Sequence, residues 1–247
     1  MKLGGLQKLT LLDFPGKTAC TVFTVGCNFR CPFCHNASLV RGGVDEISLD
    51  EFFAFLKKRQ GLLDGVCVTG GEPTLHSDLE EFIAKIKELG YAVKLDTNGA
   101  APDVLKSLVE KGLIDYVAMD IKNSRQKYLA TSGVTKDLLG NIEESVTYLL
   151  EDHIPYEFRT TVVSPLHEKA DFYDIGEWIK GAKNYFLQNF IDSGDLISDG
   201  MKGYEKEALE EFALVVQGFV PNVKIRGIYQ HLVVIKILLT QYLVFCP

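Results

Sequence analysis

Apolar positions along this chain change their period again and again. Short runs rich in β-branched and aromatic residues alternate with longer stretches whose apolar residues lie three and four apart. Thr18 to Val25 (TACTVFTV) reads as a first strand. Ser48-Leu49-Asp50-Glu51 is a capping-box pattern that opens a helix with Phe52, Phe53 and Leu56 on one face, stopped by Gly61. Gly65 to Thr69 is a second strand. Ser77-Asp78-Leu79-Glu80 is a second capping box, and Leu79, Phe82, Ile83, Ile86 and Leu89 follow at helical spacing up to Gly90. Tyr91 to Leu95 is the third strand. Pro102 opens the next helix at its first position, with Val104, Leu105, Leu108 and Val109 as its buried face. Asp115 to Ala118 is the fourth strand, and a helix starts at Asn141 and runs to about Asp152. Pro155 to Val163 and Tyr185 to Asn189 are the fifth and sixth strands, with a helix near Asp171 to Lys180 between them. A helix from Glu205 to Gln217 and a short strand from Val223 to Arg226 complete the alternation.

Strands alternating with amphipathic helices predict βαβ units and a parallel sheet, an α/β fold. Polar and glycine-rich tips recur at the C-terminal ends of the strands, where barrel enzymes place their chemistry. At 247 residues and 47% hydrophobic the chain can build one such domain, expected over residues 1–227. Residues 228–247, with LVVIKILL at their centre, form an atypical apolar tail. The run is shorter than a membrane span and is interrupted by Lys236 and Gln241, so a membrane location is not expected.

Charge and cysteine content narrow the picture further. The net charge is −7, and the longest basic cluster, Lys57-Lys58-Arg59, sits in the last turn of a predicted helix. There it complements the helix dipole, and no nucleic-acid partner is expected. Residues 1–16 lack the apolar core of a cleavable signal, and six cysteines are too few for a disulfide framework in a chain of this size. A reducing cytoplasm is the expected location. Cys20 and Cys67 fall in predicted strands and read as buried, inert thiols. His76, His153, His167 and His231 show no metal spacing among themselves.

Three of the remaining cysteines are different. Cys27, Cys31 and Cys34 stand at C-x3-C-x2-C in a tight loop directly after the first predicted strand. Clustered thiolates in an intracellular chain point to a soft metal or an iron–sulfur site. A four-iron cluster usually takes four thiolates, so three leave one iron free for another ligand. Cys27, Cys31, Cys34 and His35 also make up a Cys3His set for zinc, a non-catalytic alternative, although adjacent ligands such as Cys34 and His35 rarely share one metal comfortably.

The loop Gly26-Cys27-Asn28-Phe29-Arg30-Cys31-Pro32-Phe33-Cys34-His35-Asn36 resembles the signature of the radical S-adenosylmethionine (SAM) superfamily. With Asp13-Phe14-Pro15-Gly16 before it and Gly70-Gly71-Glu72-Pro73-Thr74 after it, the chain is similar to activating proteins of glycyl-radical enzymes. Among these it is most similar to those of anaerobic ribonucleoside-triphosphate reductases. The resemblance runs from about Leu6 to Gly227. Pattern alone leaves a doubly wound sheet open; the resemblance implies a partial, open (β/α)6 barrel. It implies one 4Fe-4S cluster on Cys27, Cys31 and Cys34, with SAM bound to the free iron. Reductive cleavage of SAM then yields a deoxyadenosyl radical, which abstracts hydrogen from a glycine of the partner enzyme. A low-potential donor such as flavodoxin or ferredoxin would supply the electron. The alternative within the superfamily is chemistry on a small molecule such as a modified-purine precursor.

Site residues follow from the same resemblance. Gly70, Gly71 and Glu72 suit the methionine end of SAM: glycines admit close backbone approach, and a carboxylate accepts from the ammonium. Residues matching Asp96, Thr97, Asp120 and the carbonyl of Ala118 bind a monovalent cation beside the SAM carboxylate in related activators. Phe33 is placed against the adenine, Arg159 against the SAM carboxylate or a nearby acid, and Gln188 against the adenosine. Asp13 and Asn36 match positions on the substrate side. Read without the resemblance, most of these are ordinary turn, cap or ion-pair residues.

Overall fold

The computed structural model describes residues 1–133 and 138–228. The apolar tail lies outside the described residues from position 229 onward. Eight strands form one sheet in sequence order: β1 (Leu3–Thr10), β2 (Ala19–Thr24), β3 (Gly65–Gly70), β4 (Ala92–Thr97), β5 (Tyr116–Asp120), β6 (Tyr156–Val162), β7 (Asn184–Asn189) and β8 (Asn222–Arg226). From β2 onward every neighbour is parallel. The order never reverses, so there is no topological switch point, and the doubly wound alternative is excluded. The sheet does not close: β1 and β8 stay at its two edges. The arrangement is that of a partial barrel.

The helices are α1 (Ala37–Arg41), α2 (Leu49–Arg59), α3 (Leu79–Glu88), α4 (Pro102–Glu110), α5 (Tyr128–Ser132), α6 (Leu139–Leu150), α7 (Lys169–Trp178) and α8 (Lys206–Gln217). They form where the apolar spacing predicts them, apart from the short α1 and α5. Leu79, Phe82, Ile83 and Ile86 are the buried face of α3. Phe52 of α2 is fully buried and stacks on Phe82 at 5.4 Å between ring centroids. Phe172 of α7 stacks on Phe212 of α8 at 4.6 Å. Ser48 caps α2 by accepting from the Glu51 N–H at 3.1 Å. The second expected capping box differs. The N-cap of α3 is Asp78, which makes no side-chain cap bond and pairs with the Met1 amine.

β1 is the strand that periodicity misses. It pairs antiparallel with β2 and carries Gly4 and Gly5, which lower strand propensity. A Cβ on Gly4 would meet Leu39 Cδ2 at 2.4 Å, so packing against the cysteine-loop helix requires that glycine.

Candidate functional site

Parallel strands point their C-terminal tips to one end of the sheet, and the cysteine loop lies across that end. A cavity of about 440 Å³ opens there. Its lining gathers every side chain the sequence marks for cluster, SAM or substrate: Asp13, Cys27, Cys31, Phe33, Cys34, Asn36, Glu72, Asp96, Thr97, Asp120, Arg159 and Gln188, with Gly70 and Gly71. Ala118 is buried on β5, paired with Asp96, and does not line the cavity.

The three thiols share this mouth. Burial pushes the Cys27 thiol up to about 11 and the Cys31 thiol up to about 12. The Lys122 ammonium acts in the opposite direction on both. The Phe29 N–H points at Cys27 Sγ from 3.3 Å. Among the described residues no group of three or more His, Cys, Asp or Glu is arranged around a single metal ion. A trio of soft donors on one loop, facing a cavity of cofactor size, fits an iron–sulfur cluster, which takes one thiolate per iron.

Distant segments hold the loop. The Arg30 N–H donates to the Ser132 carbonyl at 2.8 Å, and Cys31 Sγ lies 3.6 Å from the same oxygen. Beyond β7, residues 190–198 strap the loop from outside. Asp195 Oδ2 accepts from Ser38 N at 3.0 Å and Ser38 Oγ at 2.6 Å, capping α1. Asn36, at the N-cap position, makes no such bond. Ser198 N donates to the Pro32 carbonyl at 3.0 Å, and His35 stacks on Phe190 at 5.0 Å. Burial lowers the His35 pKa, and its Nε2 has no partner.

The Gly70-Gly71-Glu72 turn has a structural reason for its residues. A Cβ on Gly71 would lie 1.9 Å from the Gly26 carbonyl oxygen, and one on Gly70 would lie 2.2 Å from Thr24 N. The glycines let the turn lie against the start of the cysteine loop, where Glu72 N donates to the Gly26 carbonyl at 2.8 Å. Sequence reasoning offers the Glu72 carboxylate to the cofactor ammonium; the structure also gives it partners within the chain. Its Oε1 accepts from Thr74 N, Thr74 Oγ1 and Thr97 Oγ1 at 3.1, 2.6 and 2.8 Å, and its Oε2 accepts from Asn98 N at 2.7 Å. Three donors crowd Oε1, and Oε2, with one, keeps an acceptor site. Burial raises its pKa against the pull of these bonds.

Along the inner wall the charges alternate. Lys94 pairs with Asp96 Oδ1. Arg159 reaches Asp96 Oδ2 through Nη1 at 3.1 Å and Asp120 Oδ1 through Nε at 3.0 Å. Lys122 Nζ lies 3.0 Å from Asp120 Oδ2. Burial alone would raise both carboxylates. The cations more than offset it, holding Asp96 below its ordinary value and bringing Asp120 to about 2. Arg159 thus pairs with both nearby acids. Asp13 Oδ2 accepts from Thr21 Oγ1 at 2.5 Å, which ties its turn to β2.

Sequence reasoning passed over Lys94, Asn98, Lys122, Glu157 and Arg226. Asn98 Nδ2 donates to Asn28 Oδ1 at 2.8 Å, joining the tip of β4 to the cysteine loop. Glu157 is buried and paired with Arg226 at 3.0 Å, whose guanidinium lies over the Phe186 ring. The missed signal is the two-residue period. Lys94 and Asp96 share a face of β4, Glu157 and Arg159 share a face of β6, and Lys122 follows Asp120 two residues past the end of β5.

A sheet of parallel strands in sequence order, open at one side and carrying three loop thiols at its C-terminal mouth, defines a partial α/β barrel with a cysteine-lined mouth. The chain belongs to the radical SAM superfamily, whose family model matches residues 21–179. It is 32% identical over 238 residues to a Methanocaldococcus jannaschii protein that carries the assignment of glycyl-radical enzyme activating enzyme. That match covers 92% of this chain and 96% of the relative. It is 29% identical over 196 residues to a GTP 3′,8-cyclase of Campylobacter lari, covering 74% of this chain and 58% of the cyclase. Among solved structures, Streptococcus suis SuiB bound to S-adenosylmethionine superposes with a TM-score of 0.65 at 14% identity, over 83% of this chain and 49% of SuiB. The chain thus spans about half of SuiB's length, and at such identity the likeness is one of fold. Family membership brings SAM and a 4Fe-4S cluster with it. Among the described residues no helix is long and apolar enough to cross a membrane.

Proposed function

We propose that this chain is a glycyl-radical enzyme activating enzyme and that its partner is an anaerobic ribonucleoside-triphosphate reductase. Residues 1–227 would act as one radical SAM domain in the cytoplasm. Cys27, Cys31 and Cys34 would hold the 4Fe-4S cluster. SAM bound beside it supplies, on one-electron reduction by a flavodoxin- or ferredoxin-type donor, a radical able to abstract hydrogen. The chain's own residues do the rest. The Gly70-Gly71-Glu72 turn takes the methionine ammonium, through its backbone carbonyls and the charge of Glu72. Arg159 and Lys122 take the methionine carboxylate. Phe33 and Gln188 flank the adenosine. The strap, and the burial of Cys31, keep water from the cluster.

The observation that carries the partner reading is the open side of the barrel. A second cavity, of about 850 Å³, shares Asp13, Arg159 and Gln188 with the first. Its rim exposes Leu11, Leu12 and Ile191, with Leu12 86% exposed. An apolar, open lip beside a polar passage suits a peptide loop better than a closed small-molecule pocket. Glycine suits the reaction, because it has no side chain to shield the target hydrogen and its radical is delocalised over the flanking amides. Asp13 and Asn36 lie where such a loop would pass. The cyclase relative supports the second reading, chemistry on a purine nucleotide. Superfamily membership leaves the non-catalytic zinc module without support.

The test is anaerobic electron paramagnetic resonance on reduced, cluster-loaded protein mixed with SAM and the reductase, with deoxyadenosine assayed in the same tubes. A glycyl-radical doublet is expected with the native chain and is lost in Cys31→Ala. Deoxyadenosine released only on adding a purine nucleotide, with no doublet, overturns the partner reading in favour of the second. Zinc in place of iron after anaerobic purification overturns both.

A further inference from the structure

Asp96, Thr97, the Ala118 carbonyl and Asp120 are the donors that the resemblance assigns to a monovalent cation. As placed here they do not fit one. All four carboxylate oxygens are taken by side-chain cations. Lys94 holds Asp96 Oδ1, and Arg159 Nη1 holds Asp96 Oδ2 at 3.1 Å. Arg159 Nε holds Asp120 Oδ1 at 3.0 Å, and Lys122 holds Asp120 Oδ2 at 3.0 Å. Thr97 Oγ1 is turned to Glu72, donating at 2.8 Å, and accepts from Gly99 N at 3.1 Å.

Strand register builds this arrangement. Asp120 and Arg159 are direct partners across β5 and β6, and Asp96 lies one strand further along, opposite Ala118. The Arg159 side chain therefore crosses from one carboxylate to the other. A guanidinium stays charged and its planar fork reaches two acids at once, which an ammonium does not do as well. Of the three cations that face Asp96 and Asp120, Arg159 and Lys122 line the first cavity, and Lys94 lines the second instead.

We propose that this side-chain ladder, centred on Arg159, stands where a monovalent cation would stand, and that its two cavity-lining cations, Arg159 and Lys122, receive the methionine carboxylate of SAM. SAM binding by this chain then needs no alkali cation. The proposal rests on the SAM-binding reading above, so its test has one arm that does not.

In that arm, cofactor-free protein is melted in potassium chloride and in choline chloride at equal ionic strength. The native chain should melt at the same temperature in both. Arg159→Met leaves two facing carboxylates with room between them, so potassium should raise its melting temperature over choline by about 3 °C or more. If the methionine variant does not fold, Arg159→Gln, which is neutral but keeps a polar side chain, should show the same potassium response. A native chain that potassium stabilises as much as the variant overturns the proposal, and so does a folded variant that ignores potassium.

In the second arm, SAM is titrated calorimetrically into cluster-loaded protein in the same salts. The native dissociation constant should agree within about twofold between them, and that of the variant should weaken about tenfold in choline and recover in potassium. A native affinity that rises about fivefold or more with potassium overturns the proposal. No SAM binding in either salt, at verified iron content, overturns the functional reading and leaves the melting result to stand alone.

Discussion

Glu72 separates a cofactor ligand from a structural brace, and Glu72→Gln decides between them. The carboxylate accepts three hydrogen bonds at Oε1 and one, from Asn98 N, at Oε2. An amide keeps one oxygen acceptor. Its best orientation turns that oxygen to the three donors and its NH2 to the Asn98 N–H. Two donors then face each other where a bond of 2.7 Å stood. An orphaned buried donor costs about 1–3 kcal/mol, and losing the charge weakens the other three bonds as well. Removing a buried charge gives some of this back, because burial already raises the Glu72 pKa. A net loss of about 2–3 kcal/mol corresponds to a fall of roughly 5–10 °C in Tm for a domain of this length. The assay is thermal melting of cofactor-free protein, with hydrogen exchange read at Asn98. Asn98 should lose its protection in the variant. A variant that melts with the native chain and keeps Asn98 protected, yet no longer binds SAM, would refute the brace and return Glu72 to the cofactor alone.

Three further outcomes are expected. Phe52→Ala empties a fully buried site between α2 and α3 and should cost about 3–5 kcal/mol, read from the urea midpoint; a loss below ~1 kcal/mol would mean the ring stack carries little. Asp120, held at about 2 when folded against ~3.9 when unfolded, contributes stability that is full above pH ~5 and is lost as pH falls towards 2, on the order of 2 kcal/mol. The stability gap between native and Asp120→Asn should therefore close on acidification, and a gap that stays constant from pH 5 to 2 contradicts the ion-pair account. Asp195→Ala removes the acceptor from Ser38 N and Oγ, so amide exchange should rise together in α1 and the strap while global Tm hardly moves; unchanged exchange at Ser38 would show that the strap does not cap α1.

Much of the fold was legible because most strands and helices obey their own periods. Leu79, Phe82, Ile83 and Ile86 announce α3, and the β-branched run from Thr18 announces β2. β1 was not legible, because Gly4 is placed for close packing on Leu39 and the Gly4-Gly5 pair reads locally as a turn. The cysteine loop was legible because its chemistry lies in one short stretch. The charged wall was not, since Lys94, Asp120 and Arg159 come from three strands and meet only through register. Glu72 was found, but its partners within the chain were not. A short motif shows that a carboxylate lies at a strand tip, but not that Thr74, Thr97 and Asn98 will converge on it.

The strap has a consequence for how the protein is made. The cysteine loop emerges early in synthesis, but its partners come later. Ser132 follows Cys31 by 101 positions, and Asp195 follows Ser38 by 157. At about 5–20 residues per second the ribosome needs roughly 10–30 s to deliver the second of these. Until then the three thiols sit on a segment without its backing, open to oxidation and to the wrong metal. Cluster delivery should therefore succeed only on released chains, and truncations ending before residue 195 should take up iron poorly even though all three cysteines are present.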